Sequence, residues 1–411
     1  MRDLTGCLVA LTLFSLGCAD ITAPGRSTSA SSTSPLAFIT LVAGNARTCA
    51  IAADSTAWCW GSDAPAGTSS APDVRPVRAF SGGGFSSIAT GLSIWGEPAT
   101  CVLTAAGAST CDGQLDVNGD AIMTLPAEAP LPGGVSLAQA SVGRGQVCGR
   151  TSTGDGYCWG NFEGGVRGLA SISFDTSYAN MTPNPIDGGH SWTQLVAGAW
   201  HTCGLDQSGA AWCWGADNLG QLGAAAASTD SVCGNAPLPC SKVPVAVDGG
   251  HVFTSLSAGG AHTCGVTTGG DVYCWGSDAE GQIGVGGAAD LCGGTSHVRC
   301  ALAPEKVSIP SPAVFTLVSA GEMHTCGLTD SLQAYCWGDD SNGQLGIGGG
   351  PASTAKAVKT DLRFVAVSSG TSHTCGVAVG GAAWCWGDNA DGELGTGTMS
   401  PTSVPAPVAG P

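Results

Sequence analysis

Short apolar segments of strand length recur along the chain, and turns rich in glycine and polar residues separate them. One stretch shows the pattern well, with apolar segments at Leu195–Gly198, His201–Leu205, Ala211–Gly215 and Val243–Val245. Gly, Pro, Asn or Asp bounds each segment, which favours short β-strands. Apolar residues occupy consecutive rather than alternate positions, so the pattern predicts strands that are buried on both faces.

The cysteine positions indicate that these segments belong to a repeat. Setting aside Cys7 and Cys18 leaves an even number of the 20 cysteines, which is typical of a disulfide framework in an exported chain. Seven pairs share a spacing of ten positions: Cys49 with Cys59, Cys101 with Cys111, Cys148 with Cys158, Cys203 with Cys213, Cys264 with Cys274, Cys326 with Cys336 and Cys375 with Cys385. The first cysteines of successive pairs lie 52, 47, 55, 61, 62 and 49 residues apart. A period of this size predicts a propeller or a solenoid.

We expect each of these pairs to form a disulfide across an antiparallel hairpin. If Cys203 faces Cys213, Gly204 lies opposite Trp212 and a three-residue turn of common length joins the strands. The same register sets a small residue against a large aromatic one in five further repeats: Gly265 with Tyr273, Gly327 with Tyr335, Gly376 with Trp384, Gly149 with Tyr157 and Ala50 with Trp58. The second repeat departs from this pattern. Four short strands per repeat fit one blade of a β-propeller.

Four segments share the pattern Ala-Gly-x-x-His-Thr-Cys, Cys-Trp-Gly and Gly-Gln-Leu-Gly, with small departures: Ala197–Gly223, Ala258–Gly284, Ala320–Gly346 and Ser369–Gly395. In this pattern the chain resembles the repeat of the regulator of chromosome condensation family, over roughly Phe38 to Pro411. The resemblance implies an all-β fold, a seven-bladed β-propeller with four short antiparallel strands per blade. With the cysteine pairs added, each blade carries one cross-strand disulfide.

The N-terminal residues have the features of an export signal. Arg2 precedes an apolar run that is too short to span a membrane, and the run ends at Cys18 in a sequence that resembles a bacterial lipobox. We therefore expect lipidation of Cys18; the alternatives are ordinary signal cleavage nearby or an uncut anchor. The expected organisation is a signal peptide at 1–17, a Ser/Thr-rich tether at 18–36 and the propeller at 37–411.

Charge restricts the partners of the chain. It has 14 Lys and Arg against 31 Asp and Glu, a formal net charge of −17, and no large basic cluster. Nucleic acid and anionic lipid attract basic surfaces, so we expect no nucleic-acid partner and membrane contact only through the lipid anchor. We also expect a monomer without a cofactor.

Four histidines, at 201, 262, 324 and 373, occupy one position of the repeat, where the first three repeats carry Arg47, Ala99 and Gln146. A metal or proton-relay ring is one interpretation. The interpretation we favour is structural, because a neutral histidine can tie strands together through hydrogen bonds.

Other residues that could carry chemistry have structural explanations too. Asp217-Asn218, Asp339-Asp340 and Asp388-Asn389 precede glycine-rich turns, and turn formation explains them better than calcium binding. Most of the 12 tryptophans fall in the Cys-Trp-Gly position and are predicted to be core, whereas Trp95, Trp192 and Trp200 are candidates for surface contacts. The sequence contains no recognised catalytic motif, so we expect no catalytic residue, no metal site and no enzyme.

Two adjacent repeats carry long insertions at equivalent points, Ala224–Lys242 and Val285–Lys306. Each insertion has its own cysteine pair, Cys233 with Cys240 and Cys292 with Cys300, although pairing between the insertions is an alternative. Equivalent insertions emerge on one rim of a propeller, so we expect a disulfide-stapled surface that recognises a partner. The alternative is that both insertions merely decorate exposed turns.

The expected function is that of an exported, lipid-anchored binding module for a protein or glycan at the cell surface. The resemblance offers two alternatives, a regulatory scaffold with a nucleotide-exchange-like role and a secreted inhibitor-type binder of an enzyme. An enzyme with a polar funnel at the propeller axis would require converging histidines and carboxylates, and the sequence contains no such cluster. How the ring closes stays open: the C-terminal segment Val404–Val408 resembles the outer-strand segment Val243–Val247, so one interpretation is that it completes the blade that begins near Phe38.

Overall fold

A computed structural model describes residues 36–62, 72–91, 99–116, 122–130, 134–160, 165–169, 180–224, 239–288, 290–292, 297–310 and 312–411. The expected signal peptide, the lipidation site Cys18 and nearly all of the tether lie outside these residues, as do Cys233 and Trp95. No helix in the described part of the chain is long and apolar enough to cross a bilayer.

The described strands form seven antiparallel sheets, and each sheet comes from one contiguous segment of the chain. The first blade comprises β1 (Phe38–Ala43), β2 (Arg47–Ala52), β3 (Ala57–Gly61) and β4 (Asp73–Ala79). The second comprises β5 (Phe85–Thr90), β6 (Thr100–Thr104), β7 (Ser109–Asp116) and β8 (Ile122–Pro130). The third comprises β9 (Gln139–Val142), β10 (Gln146–Arg150), β11 (Gly156–Gly160) and β12 (Asn180–Pro185). The fourth blade comprises β13 (Trp192–Ala197), β14 (His201–Asp206), β15 (Ala211–Ala216) and β16 (Cys240–Ala246). The fifth comprises β17 (Phe253–Ala258), β18 (His262–Thr267), β19 (Val272–Ser277), β20 (Asp290–Cys292) and β21 (Val298–Lys306). The sixth blade comprises β22 (Phe315–Ala320), β23 (His324–Thr329), β24 (Ala334–Gly338) and β25 (Ala352–Ala357). The seventh comprises β26 (Phe364–Ser369), β27 (His373–Ala378), β28 (Ala383–Gly387) and β29 (Thr402–Pro407).

The predicted hairpin register is confirmed in all seven blades. Cys203 lies opposite Cys213 and Gly204 lies opposite Trp212. The other blades show the equivalent pairs, including Val102 with Thr110 in the second blade. The small residue therefore faces the aromatic ring wherever the sequence provides both.

A disulfide links the two middle strands of every blade, with a Cα–Cα distance of 4.1 Å. These bridges join Cys49 to Cys59, Cys101 to Cys111, Cys148 to Cys158, Cys203 to Cys213, Cys264 to Cys274, Cys326 to Cys336 and Cys375 to Cys385. All fourteen cysteines have the partner that the ten-residue spacing predicts. The predicted fold class, with one cross-strand disulfide per blade, is therefore confirmed.

The core lies between neighbouring blades. The tryptophan of the Cys-Trp-Gly position is at most 1% exposed in six blades, as predicted: Trp60, Trp159, Trp214, Trp275, Trp337 and Trp386. An aromatic ring from the first strand packs on it in several blades, as Phe253 does on Trp275 with ring centroids 5.9 Å apart. Both faces of a blade are covered, which explains why apolar residues fill consecutive strand positions.

The C-terminal strand does not complete the first blade. The strand β29, which contains Val404, pairs with β28 of its own blade, where Thr402 lies opposite Gly387. Every repeat supplies all the strands of its own blade, so the first blade needs none from the C-terminus. The first and last blades instead pack side by side, and the Ala43 amide donates a hydrogen bond to Ser368 Oγ over 2.9 Å.

A ring of seven glycines surrounds the axis where the first strand of each blade ends. A Cβ added to any of them would collide with the carbonyl oxygen of the equivalent glycine in the next blade. The ring runs through Gly44, Gly91, Gly143, Gly198, Gly259, Gly321 and Gly370, and closes again on Gly44. Only glycine permits this close approach of backbones, so the glycine of the repeat sets the spacing of the blades.

Candidate functional site

The topology sorts the loops onto two faces. The loops between first and second strands, and those between third and fourth strands, lie at one end of the blades, which we call the insertion face. The hairpin turns between second and third strands lie at the opposite end, with the connections between blades; we call this the turn face. Both long insertions follow third strands, and the described residues of the fifth-blade insertion lie on the insertion face; residues 225–238 of the fourth-blade insertion lie outside the described residues.

The four repeat histidines lie in the seams between blades and are fully buried. The Nε2 atom of each lies 2.8–2.9 Å from a threonine Oγ1 of the next blade, in the pairs His201–Thr263, His262–Thr325, His324–Thr374 and His373–Thr48. Each threonine hydroxyl donates in turn to the carbonyl of Gln221, Gln282, Gln344 or Glu393. A hydroxyl has one proton, so the histidine Nε2–H must be the donor to the threonine.

This arrangement keeps the histidines neutral. The Nδ1 atoms of all four are buried and have no hydrogen-bond partner, so a second proton would have no acceptor. Burial lowers the pKa of His201 to about 4 and that of the other three to about 3. The interpretation of these residues as structural ties is confirmed, because each connects two blades. The third blade carries Gln146 instead, which donates to the Gly198 carbonyl over 3.0 Å.

The acidic turns have the structural role that we expected. The Oδ1 atoms of Asp217, Asp340 and Asn389 accept the backbone N–H of the residue five positions later. Asp278 makes the same contact with Ile283 in the fifth blade, but its sequence signal is weaker because an alanine follows this residue where Asn218 follows Asp217. The described residues include no group of three His, Cys, Asp or Glu side chains that could hold a metal ion.

The two candidate tryptophans within the described residues differ in exposure. Trp192 is only 2% exposed. It occupies the position that Phe253 has in the next blade, and its ring packs on Trp214. The interpretation of Trp192 as a surface contact is therefore wrong. Trp200 is half-buried in a loop of the insertion face, where the Arg144 guanidinium lies over its ring at 4.4 Å from the centroid.

The insertion of the fifth blade forms a hairpin on the insertion face. Its short strand β20 pairs with β21, which makes this sheet five-stranded, and a disulfide joins Cys292 to Cys300. Pairing of Cys292 with the other insertion is thereby excluded. Leu291 is 63% exposed on this hairpin. In the fourth blade Cys240 is disulfide-bonded, and its predicted partner Cys233 lies outside the described residues.

These features define a class of protein: a closed propeller of seven contiguous four-stranded repeats, each held by a disulfide and joined to its neighbours by buried polar ties. Family comparison agrees with this. One model of the regulator of chromosome condensation (RCC1) repeat matches residues 192–221, 253–282, 315–344 and 364–393. A second model of the same repeat matches residues 269–328 and 333–377. The chain therefore carries RCC1 repeats.

Known proteins with similar sequences include two from Arabidopsis thaliana. The ultraviolet-B receptor UVR8 is 26% identical over 302 residues, which are 71% of this chain and 62% of that protein. The mitochondrial RCC1 domain-containing protein RUG3 is 29% identical over 229 residues, which are 54% of this chain and 47% of that protein. The match thus spans less than two thirds of the length of either relative.

Solved structures show the same fold at low identity. The structure of yeast RCC1 (Prp20) with Kap60 bound has a TM-score of 0.67 at 18% identity, covering 95% of this chain and 91% of that one. Human WBSCR16 also gives a TM-score of 0.67 at 18% identity, covering 83% of this chain and 86% of that one.

Proposed function

We propose that this chain is an exported, lipid-anchored propeller that binds a protein partner at the cell surface through its insertion face, without catalysing a reaction. The observation that carries the proposal is the hairpin of the fifth blade, where a disulfide holds an exposed leucine above the propeller rim. A rigid loop with an exposed apolar side chain loses little conformational entropy on binding, so it suits recognition of another protein.

The disulfides support export. Seven blades each contain a bridge whose cysteines are at most 4% exposed. Bridges of this number form and persist in oxidising compartments, such as the bacterial periplasm or the cell exterior, and are rare in the cytosol. The short apolar run before Cys18 fits the same destination, and lipidation of Cys18 would hold the propeller at a membrane by the tether.

Two further observations favour a protein as the partner. A reported structure has yeast RCC1 (Prp20) bound to Kap60, and another describes the binding of Prp20p to Gsp1p and histones, so this fold serves protein binding elsewhere. The aromatic rings that would stack on a sugar are largely used within the blades, since six tryptophans are at most 1% exposed. A surface glycan is the second class of ligand for the same face.

The experiment is a capture assay with the purified full-length protein against surface proteins and a glycan array. Leu291→Ser should reduce capture of the partner at least about tenfold, because truncating a central apolar contact costs about 1–2 kcal/mol or more. The matched control is Val379→Ser on the turn face, whose valine is 61% exposed, and it should bind like the wild type. Equal capture by both variants would exclude the insertion face.

Export and anchoring need a separate experiment. The wild type should incorporate radiolabelled palmitate and fractionate with membranes, whereas Cys18→Ala should do neither. A wild-type protein that stays unlabelled and in the cytosolic fraction would refute this part of the proposal.

A further inference from the structure

A cleft opens on the turn face at the seam between the second and third blades. It has a volume of about 210 Å³ and is lined by hydroxyl side chains together with small apolar groups. The hydroxyl groups belong to Ser86, Thr104, Ser136 and Ser152, of which the three serines are exposed to solvent. The Leu137 amide of the third blade donates a hydrogen bond to the Gly107 carbonyl of the second over 3.1 Å, which fixes the spacing of the two walls.

The cleft exists because this seam carries smaller side chains than the equivalent seam between the fourth and fifth blades. Five lining positions hold a smaller residue than their equivalents there, and the missing side-chain atoms leave the space open. The replacements, with the cleft residue first, are Leu137 for Phe253, Ala138 for Thr254, Ser136 for Val252, Ala105 for Gln207 and Ala106 for Ser208.

The lining of the cleft is polar without being charged. None of the described residues that line it is acidic or basic. The hydroxyl groups of Ser86 and Ser136 donate to backbone carbonyls of the second blade, over 3.2 and 3.4 Å. Their oxygen atoms keep lone pairs that can accept hydrogen bonds from a ligand. An ion would find no opposite charge in the cleft, so the lining favours a neutral ligand that is rich in hydrogen-bond donors.

The volume of the cleft restricts the ligand further. A water molecule occupies about 30 Å³ in the liquid, so the cleft has space for about seven. Pockets for drug-sized ligands are larger, at roughly 300–1,000 Å³. A single sugar ring meets both conditions, because its hydroxyl groups can donate to the serine oxygens while its C–H groups lie against Ala138.

We propose that this cleft binds a single neutral sugar ring, either free or at the end of a glycan chain. Hydrogen bonds from the hydroxyl groups of the ring to Ser86, Ser136 and Ser152 would hold it. The described lining contains no aromatic ring on which a sugar could stack, so we expect dissociation constants in the millimolar range. The site goes beyond the proposed function, because it lies on the opposite face from the insertions and needs neither export nor a protein partner.

The test is saturation-transfer NMR of the full-length protein with glucose, galactose and mannose, their methyl glycosides, and cyclohexanol. At least one sugar should bind, at least about threefold more tightly than cyclohexanol, which has one hydroxyl group on a ring of the same size. Binding of a methyl glycoside supports the end of a glycan chain as the ligand, and binding of the free sugar alone supports a free monosaccharide. Absence of binding by every sugar, or equal binding by cyclohexanol, would overturn the proposal.

A variant that fills the cleft locates the site. The fold accepts isoleucine at the position of Ala138, since the first blade carries Ile39 there. Ala138→Ile should weaken sugar binding at least about tenfold, because the branched side chain occupies the space of the ring. The matched control is Thr254→Ile, which places isoleucine at the equivalent position of the fifth blade and should bind like the wild type. Equal binding by the two variants would refute this cleft as the site.

A second variant keeps the test valid if Ala138→Ile fails to fold. Ser152 is exposed in a hairpin turn, so Ser152→Ala leaves the core unchanged. Loss of its hydroxyl group should weaken sugar binding about three- to tenfold, as expected for one neutral hydrogen bond. Ser208→Ala is the control, because it makes the same change at an exposed position in the hairpin turn of the fourth blade. Sugar binding of equal strength by these two variants would also refute the site.

Discussion

A single position of the repeat shows how a residue type follows from its seam. Histidine there bonds the threonine hydroxyl of the next blade, whereas Gln146 donates to the Gly198 carbonyl, although the next blade carries Thr202 at the equivalent position. Both side chains satisfy buried polar groups of the neighbouring blade, which is why a polar residue persists in a dry interface. Loop positions such as those of Arg144, Trp200 and Glu322 differ in residue type between blades.

Glu393 occupies a repeat position at which the three preceding blades carry a neutral glutamine. In the sixth blade Gln344 donates an amide N–H to Asp339 over 2.7 Å, whereas Glu393 of the seventh blade faces Asp388 with a second carboxyl group. Burial, with smaller contributions from Asp388 and Asp391, raises the pKa of Glu393 to about 7. The folded state therefore holds a proton at a pH where the unfolded chain has released it, and stability contributed by this proton is lost as pH rises from about 4.5 to about 7.

We expect Glu393→Gln to stabilise the protein in alkaline solution. The gain in the free energy of unfolding should be about 2 kcal/mol larger at about pH 8 than at about pH 5, because the neutral amide removes a buried charge only where the wild type carries one. Denaturant unfolding at both pH values measures it. A gain that is independent of pH would contradict the assignment of the effect to ionisation of Glu393.

At the scale of the element, two local features of the sequence agree on the register of each hairpin. The ten-residue cysteine spacing determines the register, and the small residue opposite the aromatic ring makes that register sterically acceptable. The hairpin added by the insertion has a different environment, because Cys292 is half-buried at the rim whereas the cysteines of the seven blade disulfides are at most 4% exposed.

This difference predicts the order of reduction. Attack by a thiolate requires access to a sulfur atom, so mild reductant under native conditions should open Cys292–Cys300 before any of the seven blade disulfides. Differential alkylation followed by mass spectrometry reports which cysteines become labelled first. Simultaneous labelling of a blade pair such as Cys326 and Cys336 would mean that the blades open together with the rim.

At the scale of the whole molecule, four consecutive seams contain a neutral buried histidine, from the fourth blade round to the first. The unfolded chain binds a proton at each of these residues below a pH of about 6.5, whereas the folded chain does not until a pH of about 3–4. Each histidine therefore makes the folded state less stable as the pH falls through this window. Raised carboxylate pKa values, such as that of Asp217 at about 6, act in the opposite direction.

The contribution of one histidine is measured by difference. Relative to the wild type, His324→Gln should gain about 1.4 kcal/mol in the free energy of unfolding per pH unit between about pH 6 and pH 4, because the amide does not titrate. His297→Gln is the control, since it makes the same change at an exposed position of the insertion hairpin. Parallel pH curves for His324→Gln and the wild type would contradict the buried neutral state.

The glycine ring predicts an effect on closure. Gly259→Ala should cost about 3 kcal/mol or more, because the new Cβ collides with the Gly321 carbonyl and lies 2.6 Å from His262 Cε1. Gly83→Ala is the control, since its Cβ would meet only an ordinary contact, 3.8 Å from the Ser55 carbonyl. Chemical denaturation measures the free energy of unfolding of both variants. Similar values would mean that the blades can move apart without loss of stability.

The repeat was predictable from the sequence because a disulfide hairpin is local. A segment of eleven residues contains both cysteines, the turn and the aromatic residue with its small partner, so the register and the four-strand unit follow from short-range geometry. The role of the repeat histidines followed for a similar reason: one position repeated four times has a common structural role. The burial of Trp192 was also readable from the sequence, because Trp192 and Phe253 both lie five positions before the Ala of the repeat's Ala-Gly, but this equivalence was missed.

Tertiary structure alone decided which strands close the ring and which residues meet at its axis. The sequence of the C-terminal strand is that of an outer strand and does not say which blade it joins. Only the tertiary structure, in which complete blades pack side by side, shows that it belongs to the seventh blade. Arg144 and Glu322 lie far apart in the chain, and the closed ring brings the charge of Arg144 close enough to affect the pKa of Glu322. Local sequence specifies the repeated unit, whereas contacts between distant residues exist only after the ring has closed.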